Sequence, residues 1–230
     1  MLRALLVLAL LGIGLAGPSH ASMITSSAQI NGPTVIDFEQ FHGNRYVTGG
    51  PTQVGGSVGL DVVFTSTYGQ SVLGDWGYGL ASNGGWSGAD AYTGLNTGTG
   101  SMTFTFNSGP VQSVGGFMNY APGFGPDVLI EALATDGVTV LESYNLSAEA
   151  PISTPGGSDA GAFRGISRAT ADIGAFRVSN QYVVLDDLTF GGSPATNATP
   201  APPALVLALT GVMGLGGYGW RRRKAAVTVG

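Results

Sequence analysis

Ser101-Met102-Thr103-Phe104-Thr105-Phe106-Asn107 is the stretch that sets the fold. Large apolar side chains alternate with small polar ones. Successive side chains of a strand point to opposite faces, so Met102, Phe104 and Phe106 share one face that must be buried. Similar short runs lie on both sides of it, separated by Gly, Ser, Asn and Asp. They are Thr34 to Glu39, Leu60 to Thr65, Val114 to Tyr120, Asp127 to Ala134, Val138 to Tyr144, Ala162 to Ile166, Ile173 to Ser179 and Val183 to Phe190. No segment carries a helical period. The chain has 39 glycines and only 10% charged residues, yet aromatic and β-branched residues recur throughout, as a folded all-β domain requires. About nine short strands without helices predict a β-sandwich of jelly-roll topology.

Asp136-Gly137 marks a tight hairpin between the fifth and sixth of these nine strands. A two-residue turn there would set Glu131 directly opposite Glu142. Opposed like charges destabilise a sheet, so either a bulge shifts the register or both carboxylates face open water. The stretch Tyr68 to Gly100 is too long for a simple connection, so it is functional, irregular or hides short strands. It is rich in Gly, Ser, Asn and Thr and carries Tyr68, Trp76, Tyr78, Trp86 and Tyr92.

Both ends of the chain read as addresses. Arg3, an apolar run from Ala4 to Ala16 and the small-x-small triplet Ser19-His20-Ala21 compose a secretory signal peptide over residues 1–21. The β-sandwich is expected over residues 22–192 and a flexible linker over 193–199. Then follow Pro200-Ala201-Pro202, an uncharged run from Ala204 to Trp220, and the cations Arg221, Arg222, Arg223 and Lys224. The apolar run approaches the length needed for a transmembrane helix, and the cations would hold its far end in the cytoplasm.

This order over residues 200–224 resembles the PEP-CTERM sorting signal of exported bacterial proteins, with alanine standing where the family's motif has glutamate. The resemblance implies an inner-membrane-anchored precursor, cleavage near Pro200–Pro202 by an exosortase, and a mature protein at the surface of a Gram-negative bacterium or in its exopolysaccharide matrix. It concerns how the protein is handled. A plain C-terminal anchor is the simpler alternative.

The exported portion carries all 14 acids of the chain but only Arg45, Arg164, Arg168 and Arg177 as cations, a net charge of −10. Such a surface repels nucleic acid and anionic lipid headgroups and attracts divalent cations. With no cysteine, thiol catalysis, zinc–thiolate sites and disulfides are excluded.

Val35-Ile36-Asp37-Phe38-Glu39 and Tyr182 to Phe190 look like the first and last strands of galactose-binding-like jelly rolls, a fold shared by many carbohydrate-binding modules. In those folds calcium ties the first strand to the last. The resemblance therefore implies a calcium site at Glu39 with Asp186 or Asp187. The simpler reading is that these carboxylates face solvent.

Gly55-Gly56-Ser57-Val58-Gly59 fits the G-x-S-x-G nucleophile elbow. That motif needs a strand before the serine and a helix after it, and the flanking sequence offers neither a clear strand nor a helix. His42 lies in a polar loop, where a lone histidine is ordinarily just solvated. Asp186 and Asp187 are neighbours on a strand, so alternation would send them to opposite faces and deny them a shared substrate atom. Trp76, Tyr78 and Trp86 are the candidate glycan-binding rings, with Asp75 and Asn83 as hydrogen-bonding partners for sugar hydroxyls. Against this stands the tendency of Trp and Tyr to fill a core. The expected protein is thus non-catalytic, exported and polysaccharide-associated, with a specific carbohydrate-binding module as the alternative and a glycoside-active hydrolase behind it.

Overall fold

The computed structural model describes residues 21–43 and 45–192. The signal peptide up to residue 20, the whole linker, the Pro-Ala-Pro motif, the apolar run and the basic cluster lie outside the described residues. Sixteen short strands follow one another: β1 (Ser22–Ile24), β2 (Thr34–Ile36), β3 (Arg45–Val47), β4 (Thr52–Gln53), β5 (Val62–Ser66), β6 (Val72–Gly74), β7 (Tyr78–Gly79), β8 (Gly85–Trp86), β9 (Tyr92–Gly94), β10 (Ser101–Phe106), β11 (Ser113–Asn119), β12 (Leu129–Leu133), β13 (Val140–Asn145), β14 (Ala162–Ser167), β15 (Ala175–Ser179) and β16 (Val184–Gly191). The α-helix among the described residues is the single turn Leu146–Glu149, capped by Asn145. The described residues are all-β.

One sheet has eight strands in the order β1-β14-β11-β16-β9-β6-β3, with β2 also paired to β16. The other has six, in the order β13-β12-β15-β10-β5-β4. Strands β7 and β8 form a separate hairpin. The inward faces of the two large sheets share one apolar core. Met102 and Phe104 of β10 are fully buried and Phe106 nearly so, while the intervening Ser101, Thr103 and Thr105 are partly exposed. Phe104 packs against Phe64 at 5.7 Å and Phe38 at 6.2 Å between ring centroids. Burial of each such side chain is worth about 1.5–3 kcal/mol, and this favours the strand register that keeps all three inward.

The hairpin at Asp136-Gly137 resolves its charge conflict by a bulge. The register shifts between Ala132 and Leu133, so Glu131 faces Ser143 and Glu142 faces Ala132. Each carboxylate then finds an arginine: Glu131 bonds Arg177 at 2.7 Å, and Glu142 lies 3.5 Å from Arg168. Arg168 also pairs with Asp172 through two bonds and donates to the Leu141 carbonyl. The outer edge of the six-stranded sheet is thereby partly covered, which blunts its tendency to pair with another chain.

Two expected strand ends move. The strand expected over Thr34 to Glu39 stops at Ile36. Phe38 takes a left-handed backbone with φ of 58°, and Glu39–Phe41 forms a 3₁₀ turn. Asp37 accepts a bond from the Glu39 amide at 3.2 Å, a local bond that competes with the sheet ladder. The turn buries Phe38 completely, and Asp37 and Glu39 do not share a strand face. Leu60 likewise leaves β5, because its amide closes the 3₁₀ turn Gly55–Val58 by bonding the Gly55 carbonyl. Ser57 therefore sits within a 3₁₀ turn and not at a strand-to-helix elbow.

Candidate functional site

Residues 68–100 are not an irregular loop. They supply β6 and β9 to the eight-stranded sheet and fold the hairpin β7–β8 back over its outer face. A second apolar cluster results, built from Val72, Tyr78, Leu80, Trp86, Tyr92 and Val184, with Phe117 and Tyr182 packed against it. Trp86 meets Tyr92 edge-on at 4.9 Å and stacks on Phe117 at 6.2 Å. Its indole N–H donates to the Ala160 carbonyl.

The hairpin is clasped from below by a buried polar network. Asn83, 3% exposed, donates to Asn119 Oδ1 and to the carbonyls of Tyr120 and Ile152. Asn119 donates in turn to Thr154 Oγ1 and the Ala160 carbonyl, and Thr154 donates back to Asn83. The side-chain oxygens and amide hydrogens of both asparagines are engaged, as burial demands. Asn83 is therefore structural and not available to a sugar hydroxyl. Asp75 accepts from the Gly43 amide at 2.8 Å and lies 3.5 Å from His42.

The hairpin covers only part of the outer face, and a cleft of about 260 Å³ opens beside it, lined by Trp86, Asp90, Phe117, Asp159, Asp186 and Asp187. Asp186 and Asp187 meet there, contrary to the simple alternation of a strand. Between Gly115 and Phe117 of β11 the partner strand β16 advances three residues, from Thr189 to Asp186, instead of two. Asp187 takes φ of 48°, and its amide bonds Asp186 Oδ1 at 2.7 Å. A bulge of this kind re-aims one side chain, here putting two consecutive carboxylates on the same cleft.

Their electrostatics differ from those of Asp159. Burial pushes the Asp186 carboxyl up to about 7, and the charges of Asp187, Asp90 and Glu39 add to the effect against the Asp187 N–H bond. Asp187 is raised by burial and then by Asp37, Asp90 and Glu39. Asp159 goes the other way. Its partial burial is outweighed by bonds from the Ser87 amide at 2.6 Å, the Ser87 hydroxyl and the Ser158 hydroxyl, which hold its carboxyl below the usual value.

Glu39 lies near enough to raise both aspartates, but its own oxygens are engaged: one accepts from the Ala91 amide at 3.0 Å, and the other is 3.8 Å from His42. Among the described residues no three acids or histidines converge as a ready-made metal site.

The three rings expected to form one platform are divided. Tyr78 and Trp86 are 8% and 6% exposed and belong to the second core. Trp86 still contributes to the wall of the acidic cleft. Trp76, 38% exposed, lies with Tyr78, Val47, Val72 and Asn96 around a separate recess of about 150 Å³. Asp90, Phe117 and Asp159 escape a reading of the sequence. Ser87 and Asp159 are 72 residues apart in the chain, and no local pattern joins them.

No protein-family model, no curated protein and no solved structure matches the chain.

Proposed function

We propose that the chain is a non-catalytic exported protein of a Gram-negative cell surface or matrix, and that its β-sandwich, read as a jelly roll, associates with polysaccharide. The carrying observation is the cleft at the β16 bulge, where the walls of Trp86 and Phe117 stand beside four carboxylates. Aromatic faces suit the C–H faces of sugar rings, and carboxylates accept hydrogen bonds from hydroxyls. A concave site where convergent polar groups stand beside aromatic walls is the default position for a ligand, and here the carboxylates outnumber the rings. The tail resembling the PEP-CTERM signal supplies the export route: an inner-membrane precursor, then exosortase cleavage at Pro200–Pro202 and release to the surface. Calcium belongs to the same reading, since burial and mutual repulsion at Asp186 and Asp187 would be relieved by a divalent cation.

Cosedimentation of the mature protein with matrix polysaccharide from its host tests the proposal. Asp187→Asn combined with Phe117→Ala is expected to abolish cosedimentation without unfolding the protein. Unchanged cosedimentation would remove the cleft from the function.

The opposite shifts at Asp186 and Asp159 favour one second reading, glycoside hydrolysis with Asp186 as acid and Asp159 as the ionised partner, because acid/base pairs arise where environments push two carboxyls apart. Release of reducing ends that disappears in Asp186→Asn would establish it. Intact polysaccharide after prolonged incubation would leave the binding reading in place.

A further inference from the structure

The acidic cleft has a neighbour. A second cavity of about 360 Å³ opens on the outer face of the eight-stranded sheet, between β2, β16, β11 and β14. Pro33, Val35, Phe163 and Thr189 line it, and it shares Phe117 and Asp187 with the first. Phe117 and Phe163 are cross-strand partners on β11 and β14 and so stand on one face. Gly115 lets the Phe163 ring lie close against the sheet, since a Cβ there would stand 2.8 Å from Phe163 Cζ. The two cavities therefore run on from each other across the strands, with one ring and one carboxylate at their junction. A single small ligand would fill only one of them. A linear ligand crossing the sheet would use both.

Charge decides among linear glycans. Neither cavity is lined by Lys, Arg or His among the described residues, and Asp90, Asp159, Asp186 and Asp187 line the first. Arg164, next to Phe163, turns its guanidinium to the carbonyls of Ala150, Pro151 and Phe163. With no divalent cation at Asp186 and Asp187, an anionic polysaccharide would be repelled, and a neutral one would leave the charge uncompensated. A glycan bearing protonated amines would meet carboxylates at one end of the groove and ring faces along it, and an ammonium near an aromatic face gains further attraction.

Building on the polysaccharide reading, we infer that the two adjoining cavities form one extended groove for a linear polysaccharide carrying free amino groups, of the glucosamine type. Asp187 takes an ammonium at the junction, and Phe117 and Phe163 take successive sugar rings.

The test is calorimetric titration of the mature protein with glucosamine dimers and tetramers, N-acetylglucosamine tetramers and an oligouronate. Glucosamine tetramers are expected to bind at least tenfold more tightly than dimers, because only they reach both cavities. N-acetylglucosamine tetramers are expected to bind at least tenfold more weakly than their amine counterparts. Raising salt is expected to weaken amine binding, as screening of part-exposed pairs requires. Phe163→Ala should bring the tetramer down to the dimer's affinity. Asp187→Asn should remove most of the preference for the amine; it also relieves a crowded carboxylate, so its melting temperature should not fall. Equal binding of the acetylated and free-amine tetramers, or preference for the uronate, would overturn the inference and spare the polysaccharide reading. Tetramers binding no better than dimers would overturn the joined groove. Failure to bind any of these oligosaccharides, together with failure to bind matrix polysaccharide, would overturn both proposals.

Discussion

Asp186→Asn is expected to stabilise the protein at pH 8 and to leave it nearly unchanged at pH 4. The wild-type carboxyl moves from an ordinary value of 3.8 to about 7 on folding. Between those values the folded protein holds a proton that the unfolded chain has released. Stability therefore falls as pH rises through this window and levels off above about 7. Each tenfold change in acidity corresponds to about 1.4 kcal/mol, so a rise from 3.8 to about 7 gives an upper figure of about 4 kcal/mol, reduced where water reaches the side chain. For a domain of this size that is of order 10 °C in melting temperature. The amide of asparagine cannot be charged, and its oxygen still accepts the Asp187 N–H bond. Asp159 and Asp172, whose folded carboxyls are lowered, act in the opposite sense, and their stabilisation is lost below about pH 4, outside the window. The assay is urea denaturation of wild type and variant at pH 4, 6 and 8. A stability difference that stays flat across these three values would refute the argument from burial, and so would a variant less stable than wild type at pH 8.

Calcium is expected to raise the melting temperature and EDTA to lower it, by about 2.7 kcal/mol of stabilisation at a hundredfold excess over the dissociation constant. Asp187→Asn should remove that difference; identical curves in calcium and EDTA would exclude a cation at the bulge. Asn83→Ala should cost about 3 kcal/mol or more, because it strands buried partners at Asn119 and Thr154, and a chemical melt reads this directly. Mass spectrometry of the mature protein from its host should find chains ending near Pro200–Pro202. A main species ending at Gly230 would leave the tail as an anchor.

The alternation at Ser101–Phe106 determined its inward face without help, because a two-residue period allows only one assignment of large apolar side chains to a core. The β-strands at 113–119, 129–133, 140–145, 162–167, 175–179 and 184–191 were legible as short runs rich in aromatic and β-branched residues between turn residues, within a residue or two at their ends. Even the conflict between Glu131 and Glu142 was visible, along with the bulge that could relieve it. What the residues alone could not decide was where the chain departs from its period. Phe38 leaves the strand because its ring gains a complete burial against Phe104, a partner far along the chain. Asp187 occupies a left-handed backbone because the pairing of β16 with β11 and β2 absorbs an extra residue there. Strands β6 to β9 are two or three residues long, too short to carry a period, and they are held by ladder bonds and by the cluster around Trp86 and Tyr92. Local periodicity reports only on neighbours in sequence. The cleft joins Trp86, Phe117, Asp159 and Asp186 from four separate parts of the chain, and only tertiary packing brings them within reach of one ligand.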